Sequence, residues 1–342
     1  DYSTGAEAFL LEPQRTNLIP YSEDFSVSNW YKSDVSILSN QITSPNGDIN
    51  ADKITDNTNN VRHGLFLIGS WVSGVESVCS VYVKKGTKSK FVIGSTSNAQ
   101  GSFFNLDTES IINTGSFVGS IVSVGNGWYR CSVVFTAPSN YNLFIGLYDI
   151  VGNFNYVGTS SYLYIYGAQL EQQSYATSYI PTSGTTVTRN QELCYDATPV
   201  INSEEGVLYL EASALANDGT YRALTISDGT NSHRFLLSYT PTTNQIQAFH
   251  NNGVDVINLT FVISDVTNFH KLAFKYSLND FALWVDGVEV ATNFSGTTNI
   301  PNTLNELKFE NASGSSDFFG NTKDVKYYPK ALADVELQDL TT

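Results

Sequence analysis

The sequence predicts an all-β chain folded as two tandem β-sandwich domains. Three observations carry this. Short alternating apolar runs recur along the chain between clusters of Gly, Asn, Asp and Ser, the pattern of sandwich strands and turns. Helical periodicity is almost absent, and only residues 329–337, near the end, read as a turn or two of helix. Hydrophobic residues make up 41% and charged residues only 15%, so the chain is globular and its surface is built from turn-forming Ser, Thr, Asn and Gly. At 342 residues it is long enough for two domains of ordinary size.

In the first half the alternating runs place strands at 35–38, 51–54, 64–67, 75–84, 90–95, 101–105, 121–125, 128–136, 141–147 and 161–171. The run from Trp128 to Thr136 is long and β-rich, and Ala137-Pro138 stops it, because proline cannot donate to a ladder. Residues 182–203 change character: Ser183-Gly184-Thr185-Thr186 is polar and Pro199 follows. The domain junction is expected here, with 187–195 able to add a strand. The second half restarts with Gly206-Val207-Leu208-Tyr209-Leu210-Glu211-Ala212. Residues 235–239 and 245–249 flank a Thr-Pro-Thr-Thr loop and read as a hairpin. In 271–276, Leu272, Phe274 and Tyr276 share one face and the two lysines the other. Asp286-Gly287 joins 281–285 to 288–290, a turn whose two residues must tolerate positive φ. Runs 304–309 and 324–328 complete the second sheet set.

Two word strings bracket the first half. The opening one is Leu10-Leu11-Glu12-Pro13-Gln14-Arg15-Thr16-Asn17-Leu18-Ile19, followed by Tyr21-Ser22-Glu23-Asp24-Phe25 and Trp30. The closing one is Tyr166-Gly167-Ala168-Gln169-Leu170-Glu171, then Tyr175-Ala176-Thr177-Ser178-Tyr179-Ile180-Pro181-Thr182-Ser183-Gly184. With Val81-Tyr82-Val83-Lys84 and Gly127-Trp128-Tyr129-Arg130 between them, this half resembles the carbohydrate-binding-module-like jelly roll of phage fibre and virion surface proteins. The second half resembles a concanavalin A-like (laminin G-like) domain. That likeness rests on His270-Lys271-Leu272-Ala273-Phe274, on Leu283-Trp284-Val285-Asp286-Gly287, and on the closing run from Gly320 through Pro329-Lys330-Ala331-Leu332. The resulting division is a lead-in segment 1–20, a jelly roll 21–189, a linker 190–203 and a concanavalin A-like domain 204–342.

The net charge is −15, so a polyanion such as DNA is repelled and nucleic-acid binding is not expected. No apolar run reaches membrane-spanning length, so no membrane insertion is expected. There is no Met at any position, from which the chain is expected to begin inside a longer polypeptide. The one basic cluster, Lys84, Lys85, Lys88 and Lys90, reads as a solvated hairpin rim. Cys79, Cys131 and Cys194 have no metal-type spacing. Cys79 and Cys131 read as reduced core residues, a bridge between them being the sharper alternative.

Catalysis is the natural rival on these folds. A glycosidase needs two carboxylates about 5–10 Å apart in one cleft, and no strand carries a Glu-x-Asp-x-x-Glu alternation. A lyase cluster of Arg234, His250 and Tyr239 reads as an ordinary sheet face. The four histidines show no ligand spacing. The chain is therefore read as non-enzymatic. Glycan binding needs exposed aromatic faces with polar partners. The candidates are Trp71 and Trp30 near loops, Tyr148, and the loop clusters holding Tyr221, Arg222 and Asp228. Trp128 and Trp284 lie in long alternating strands and read as packing. A structural calcium ion would draw on Asp48 and Asp52 in the first domain or Asp317 and Asp324 in the second; no cofactor is otherwise required.

The resemblance implies a non-enzymatic fibre or virion-surface module that recognises a bacterial surface glycan, located on the virion surface or otherwise extracellular. Binding would be weak per site and repeated in a homo-oligomer, a trimer being expected. The alternatives are a structural virion decoration or docking protein, whose partners are other virion proteins, and a carbohydrate-binding appendage of a secreted polysaccharide-degrading enzyme.

Overall fold

A computed structural model describes residues 8–67, 73–95, 99–136, 143–194 and 198–342. The strands in chain order are β1 (Phe9–Leu11), β2 (Arg15–Asn17), β3 (Trp30–Ser33), β4 (Val35–Thr43), β5 (Ile49–Asp56), β6 (Asn60–Leu67), β7 (Glu76–Lys85), β8 (Lys90–Ser95), β9 (Gln100–Asn105), β10 (Ser110–Asn113), β11 (Val118–Gly125), β12 (Trp128–Thr136), β13 (Leu143–Leu147), β14 (Asn155–Val157), β15 (Tyr162–Glu171) and β16 (Val187–Arg189). They continue as β17 (Gly206–Ala214), β18 (Arg222–Ser227), β19 (Arg234–Tyr239), β20 (Gln245–Asn251), β21 (Val256–Val262), β22 (His270–Ser277), β23 (Asp280–Val285), β24 (Val288–Asn293), β25 (Glu306–Lys308) and β26 (Gly320–Tyr328), and one helix follows, α1 (Asp334–Thr341).

Contacts divide the chain into two compact units. One is Gln14–Asn190; the other joins the residues up to Pro13 to those from Gln191 onward. The described residues 8–20 are thus shared between the units: β1 pairs with β26, Phe9 opposite Thr322, whereas β2 pairs with β16, Asn17 opposite Val187. In the stretch 190–203, Glu192 N donates to Glu12 O at 2.9 Å and the buried Ser203 Oγ accepts from Leu304 N at 2.9 Å.

The unit Gln14–Asn190 is a sandwich. One sheet runs β11-β12-β7-β15-β5-β4; the other runs β10-β9-β8-β13-β6-β14, with β3 also paired to β6. Period-2 alternation explains the core. Cys79, Val81 and Val83 of β7 and Cys131, Val133 and Phe135 of β12 face Leu65, Leu67, Phe91, Ile93 and Ile145 of the opposite sheet. Cys79 lies opposite Val133 and Cys131 opposite Val81, and both thiols are free. Burial pushes the Cys79 thiol up to about 12. The other unit is a second sandwich, with sheets β1-β26-β17-β22-β23-β24 and β21-β20-β19-β18-β25. Leu208, Leu210, Phe274 and Leu283 of the first meet Leu224, Phe235, Leu237 and Ile246 of the second. Leu272, Phe274 and Tyr276 are buried in this core as their alternation requires. The outer face of β17, β22 and β23, with Tyr209, Ala273 and Trp284, is closed by Leu332 and by Leu337 of α1. The Asp286-Gly287 turn takes φ values of 47° and 81°, so Asp-Gly makes the hairpin β23–β24 as read.

Gly64 and Gly146 face each other across β6 and β13, and the Phe144 ring lies over the pair. A Cβ on Gly64 would sit 2.6 Å from that ring, and one on Gly146 would sit 2.7 Å from His63 O. Gly146→Ala is therefore expected to cost about 1–3 kcal/mol, the usual range for overpacking. Urea unfolding checks this, and an unchanged midpoint would refute it.

Candidate functional site

The two bracket strings meet in the first sandwich and tie its ends together. Asn17 is fully buried. Its Nδ2 donates to Ala168 O at 3.2 Å and Ile180 O at 2.9 Å, and its Oδ1 accepts from Ile19 N and Leu170 N at 3.1 Å each. That satisfies both donors and both lone pairs of the amide. Gln169 Oε1 accepts from Ile180 N at 2.6 Å, while its Nε2 donates to Glu171 Oε2 at 2.8 Å. The buried Glu171 also accepts from Thr177 N at 3.0 Å and Thr177 Oγ1 at 2.5 Å. Ser22 N donates to Thr182 Oγ1 at 3.0 Å, and Thr182 N donates to Ser22 Oγ at 2.8 Å. Tyr21 and Ser183 form a β-bridge.

This clasp sets two walls of a cleft of about 280 Å³, lined by Tyr21, Glu23 and Asp24 on one side and Thr182 and Ser183 on the other. The hairpin β4–β5 supplies the third wall with Ser39, Asn40, Asn50 and Asp52. The pairing of β4 with β5 is irregular between Leu38 and Ile42, and Asn40 takes φ 57°, a conformation that asparagine tolerates. Asp52, 1% exposed, holds this bulge: it accepts from Asn40 N at 3.0 Å and from Phe25 N at 3.1 Å. Burial pushes its carboxyl up to about 6, against the pull of the two backbone N–H groups and with Asp24 adding repulsion. Glu23 Oε1 accepts from Tyr166 Oη at 2.9 Å and Tyr179 Oη at 3.2 Å, and Glu23 Oε2 accepts from Asn50 Nδ2 at 3.3 Å. Burial, with Glu23 beside them, raises both phenols. Asp24 is exposed, and its Oδ1 accepts from Ser26 N at 2.9 Å. The cleft thus offers fixed acceptors, two amides, the hydroxyls of Ser39, Thr182 and Ser183 and the half-buried Tyr21 ring. Its volume sits just under the ~300 Å³ at which ligand pockets begin.

The sequence-derived candidates fall elsewhere or have other work. Trp71 lies outside the described residues. Trp30 is 1% exposed; it opens β3, packs 5.1 Å from Phe25 and donates its indole N–H to Tyr21 O at 2.9 Å, backing the cleft from behind. Tyr148 is buried edge-on against Phe103 at 5.0 Å. Neither ring offers a face to a sugar. Arg222 is buried and held by Asp218 at 2.9 Å and Thr220 O at 3.0 Å. Asp228 caps its own turn through Thr230 N at 2.9 Å and pairs with His233 at 3.1 Å. Tyr221 is half-buried and donates to Gln247 Oε1 at 2.6 Å. Arg234 and His250 do not gather with Tyr239, because neighbouring residues on a strand point oppositely: His250 stacks on Phe235 in the core at 4.1 Å, and Arg234 points away from it. The lysine cluster is engaged: Lys85 with Asp107, Lys88 with Asp149, and Lys84 with Asn126 O at 2.7 Å.

The four aspartates considered for calcium do not converge. Asp48 is an exposed turn residue, Asp324 pairs with Lys326, and burial raises Asp317. Asp52 faces two N–H donors, which oppose a cation. Among the described residues no three His, Cys, Asp or Glu side chains form a metal-holding group. The cleft residues Tyr21, Glu23 and Asp24 stood in the opening string, and Thr182 and Ser183 in the closing one. Their adjacency in both strings was the available signal; Asn40 and Asn50 gave none.

No family model and no curated protein matches the chain. Among solved structures it is similar to the CBM40 of a Ruminococcus gnavus IT-sialidase bound to α2,3-sialyllactose, at 16% identity and TM-score 0.36, covering 41% of this chain and 83% of that one. It is similar to domains LG4-5 of the mouse laminin α1 chain at 13% identity and TM-score 0.31, covering 81% of this chain and 90% of that one. A Trypanosoma rangeli sialidase in complex with sialic acid matches at 9% identity and TM-score 0.32, over 91% of this chain and 62% of that one. Likeness at this level carries no ligand or activity to this chain.

Two outcomes follow from the site. Asn17→Ala leaves two N–H and two C=O groups orphaned in the interior and is expected to destabilise the unit Gln14–Asn190 by about 3–5 kcal/mol; calorimetry reads the loss, and a change below ~1 kcal/mol would contradict the clasp. Asp52 keeps its proton to higher pH folded than unfolded. Its stabilising contribution is therefore complete below the ordinary value of 3.8 and is lost as pH rises through about 6. Melting of the wild type should fall relative to Asp52→Asn between pH 4 and pH 7. Parallel curves would refute this.

Proposed function

We propose that the chain is a non-catalytic glycan-binding protein whose first sandwich holds one neutral sugar unit in the Tyr21–Glu23–Asp24 cleft. The observation that carries this reading is the clasp itself. It brings carboxylates, amides and hydroxyls from three distant segments to one recess and fixes them there before any ligand arrives, so little ordering cost remains at binding. Asp24 and the unoccupied lone pair of Glu23 Oε2 accept from sugar hydroxyls, Asn40 bridges neighbouring hydroxyls, Asn50 holds Glu23 in place, and Tyr21 offers its ring to a C–H face.

The same geometry argues against hydrolysis. A glycosidase needs one carboxyl free to give a proton and another free to attack or activate water. Glu23 Oε1 is committed to two phenols, Asp52 is closed in under two backbone N–H groups, and only Asp24 stands open. The sequence resemblance to phage fibre modules supports presentation on a virion surface as a homotrimer, where repeated weak contacts to a bacterial surface glycan add up.

A glycan array probed with a multivalent conjugate tests this. Binding to a defined polysaccharide is expected, with Glu23→Gln and Tyr21→Ala each weakening it at least tenfold while melting temperatures stay within a few degrees. A blank array, or full binding by both variants, would overturn the proposal.

A further inference from the structure

The second sandwich carries a surface of different chemistry. Its five-stranded sheet, β21-β20-β19-β18-β25, contains a single carboxylate, Glu306, against Arg222, Arg234 and Lys308. The whole chain has 33 Asp and Glu against 18 Lys and Arg, so this sheet reverses the prevailing sign. Arg222 is buried and paired with Asp218 at 2.9 Å, and Lys308 is held by Glu306 at 2.8 Å. Arg234 is the cation left over.

Alternation places Arg234 on the outer face. Phe235, Leu237 and Tyr239 of β19 point into the core, so Arg234 and Ser238 point away from it. There the Arg234 guanidinium lies 5.1 Å from the centre of the Phe249 ring, and one amino group donates to Asn231 Oδ1. No carboxylate pairs with it among the described residues, and its Nε is buried without a hydrogen-bond partner. Burial also lowers its pKa from the ordinary arginine value, a cost that an anion alongside would offset. Beside it, Tyr221 donates to Gln247 Oε1 at 2.6 Å and Gln247 Nε2 donates to Asn258 Oδ1 at 2.8 Å, a fixed row of hydroxyl-binding groups.

We propose that this face is a second saccharide site, selective for a sugar that bears a carboxylate, with Arg234 as the anchor and the Tyr221–Gln247–Asn258 row contacting its hydroxyls. The guanidinium is a planar fork, and with Nε buried its two terminal amino groups are the pair that a planar carboxylate matches with two hydrogen bonds. The chain's overall negative field does not forbid this, because it is screened beyond ~8 Å at physiological salt and the sheet itself is almost free of acids. The ligand class rests on the glycan-binding reading above, but the site is separate from the cleft.

Titration with trigalacturonic acid and with its methyl ester separates charge from shape. The acid is expected to bind and the ester to bind at least tenfold more weakly. Arg234→Gln should lose at least tenfold for the acid. Arg234→Lys should fall between the two, as a point charge without the fork. Glu23→Gln, which disables the cleft, should leave the acid's binding unchanged. Equal binding of acid and ester, wild-type binding by folded Arg234→Gln or Arg234→Lys, or no binding of the acid would each overturn the proposal. Loss in Glu23→Gln alone would assign the acid to the cleft and overturn it as well.

Discussion

The first sandwich depends on the buried amide of Asn17. A side chain with two donors and two lone pairs finds all four partners on backbone from three segments: the chain after β2, the bulged end of β15, and the strand-like approach to Pro181. Each bond is worth only about 1 kcal/mol net, but each orphan left by its removal costs more than that. The arrangement is therefore all-or-none. Glu171 repeats the principle with a buried carboxylate satisfied by Gln169 and Thr177. These residues are buried; their role is to hold the ends of the sandwich in register, and the cleft is the by-product of that register.

The cleft and the five-stranded sheet then divide the chemistry between them. In the first unit carboxylates concentrate at one recess, where desolvation and mutual repulsion already strain Asp52 toward neutrality. In the second unit the outer face of one sheet sheds its acids and keeps an unpaired arginine on an aromatic ring. The two proposed sites, one for a neutral unit and one for an acidic unit, would let a single protein require two features of a surface at once. Specificity of that kind comes from simultaneous engagement more than from the strength of either contact.

Much of the fold was legible because β alternation is a local signal. The strands 90–95 and 128–136 were read to the residue, and the Asp-Gly and Thr-Pro-Thr-Thr hairpins formed as expected. What escaped depends on distant partners. β1 is three residues whose partner β26 lies at the other end of the chain, and no local pattern marks it. β21 alternates, but Phe261 and Val262 at its end are exposed, which blurs the run; β18 begins in a turn whose Asp218 and Arg222 look like loop chemistry. The site was harder still. Trp30 reads as an aromatic near a loop and Tyr148 as a further candidate face, yet the register of β3 on β6 turns Trp30 inward and the Phe103 contact buries Tyr148. Composition cannot tell a platform from a wedge. Tyr21, Glu23, Asp24, Thr182 and Ser183 stand in the bracketing strings, but only the clasp shows that these strings face each other, and nothing local marks Ser39, Asn40 or Asn50 as their neighbours.

The measurement that tests the central claim most directly is backbone amide hydrogen exchange on the chain saturated with an oligosaccharide that it binds. The account predicts new protection at Ser39, Asn40, Asn50, Thr182 and Ser183 and around Tyr21 to Asp24, with the core strands β7 and β12 unchanged. Protection confined to any other surface, with these segments exchanging as in the free protein, would contradict it.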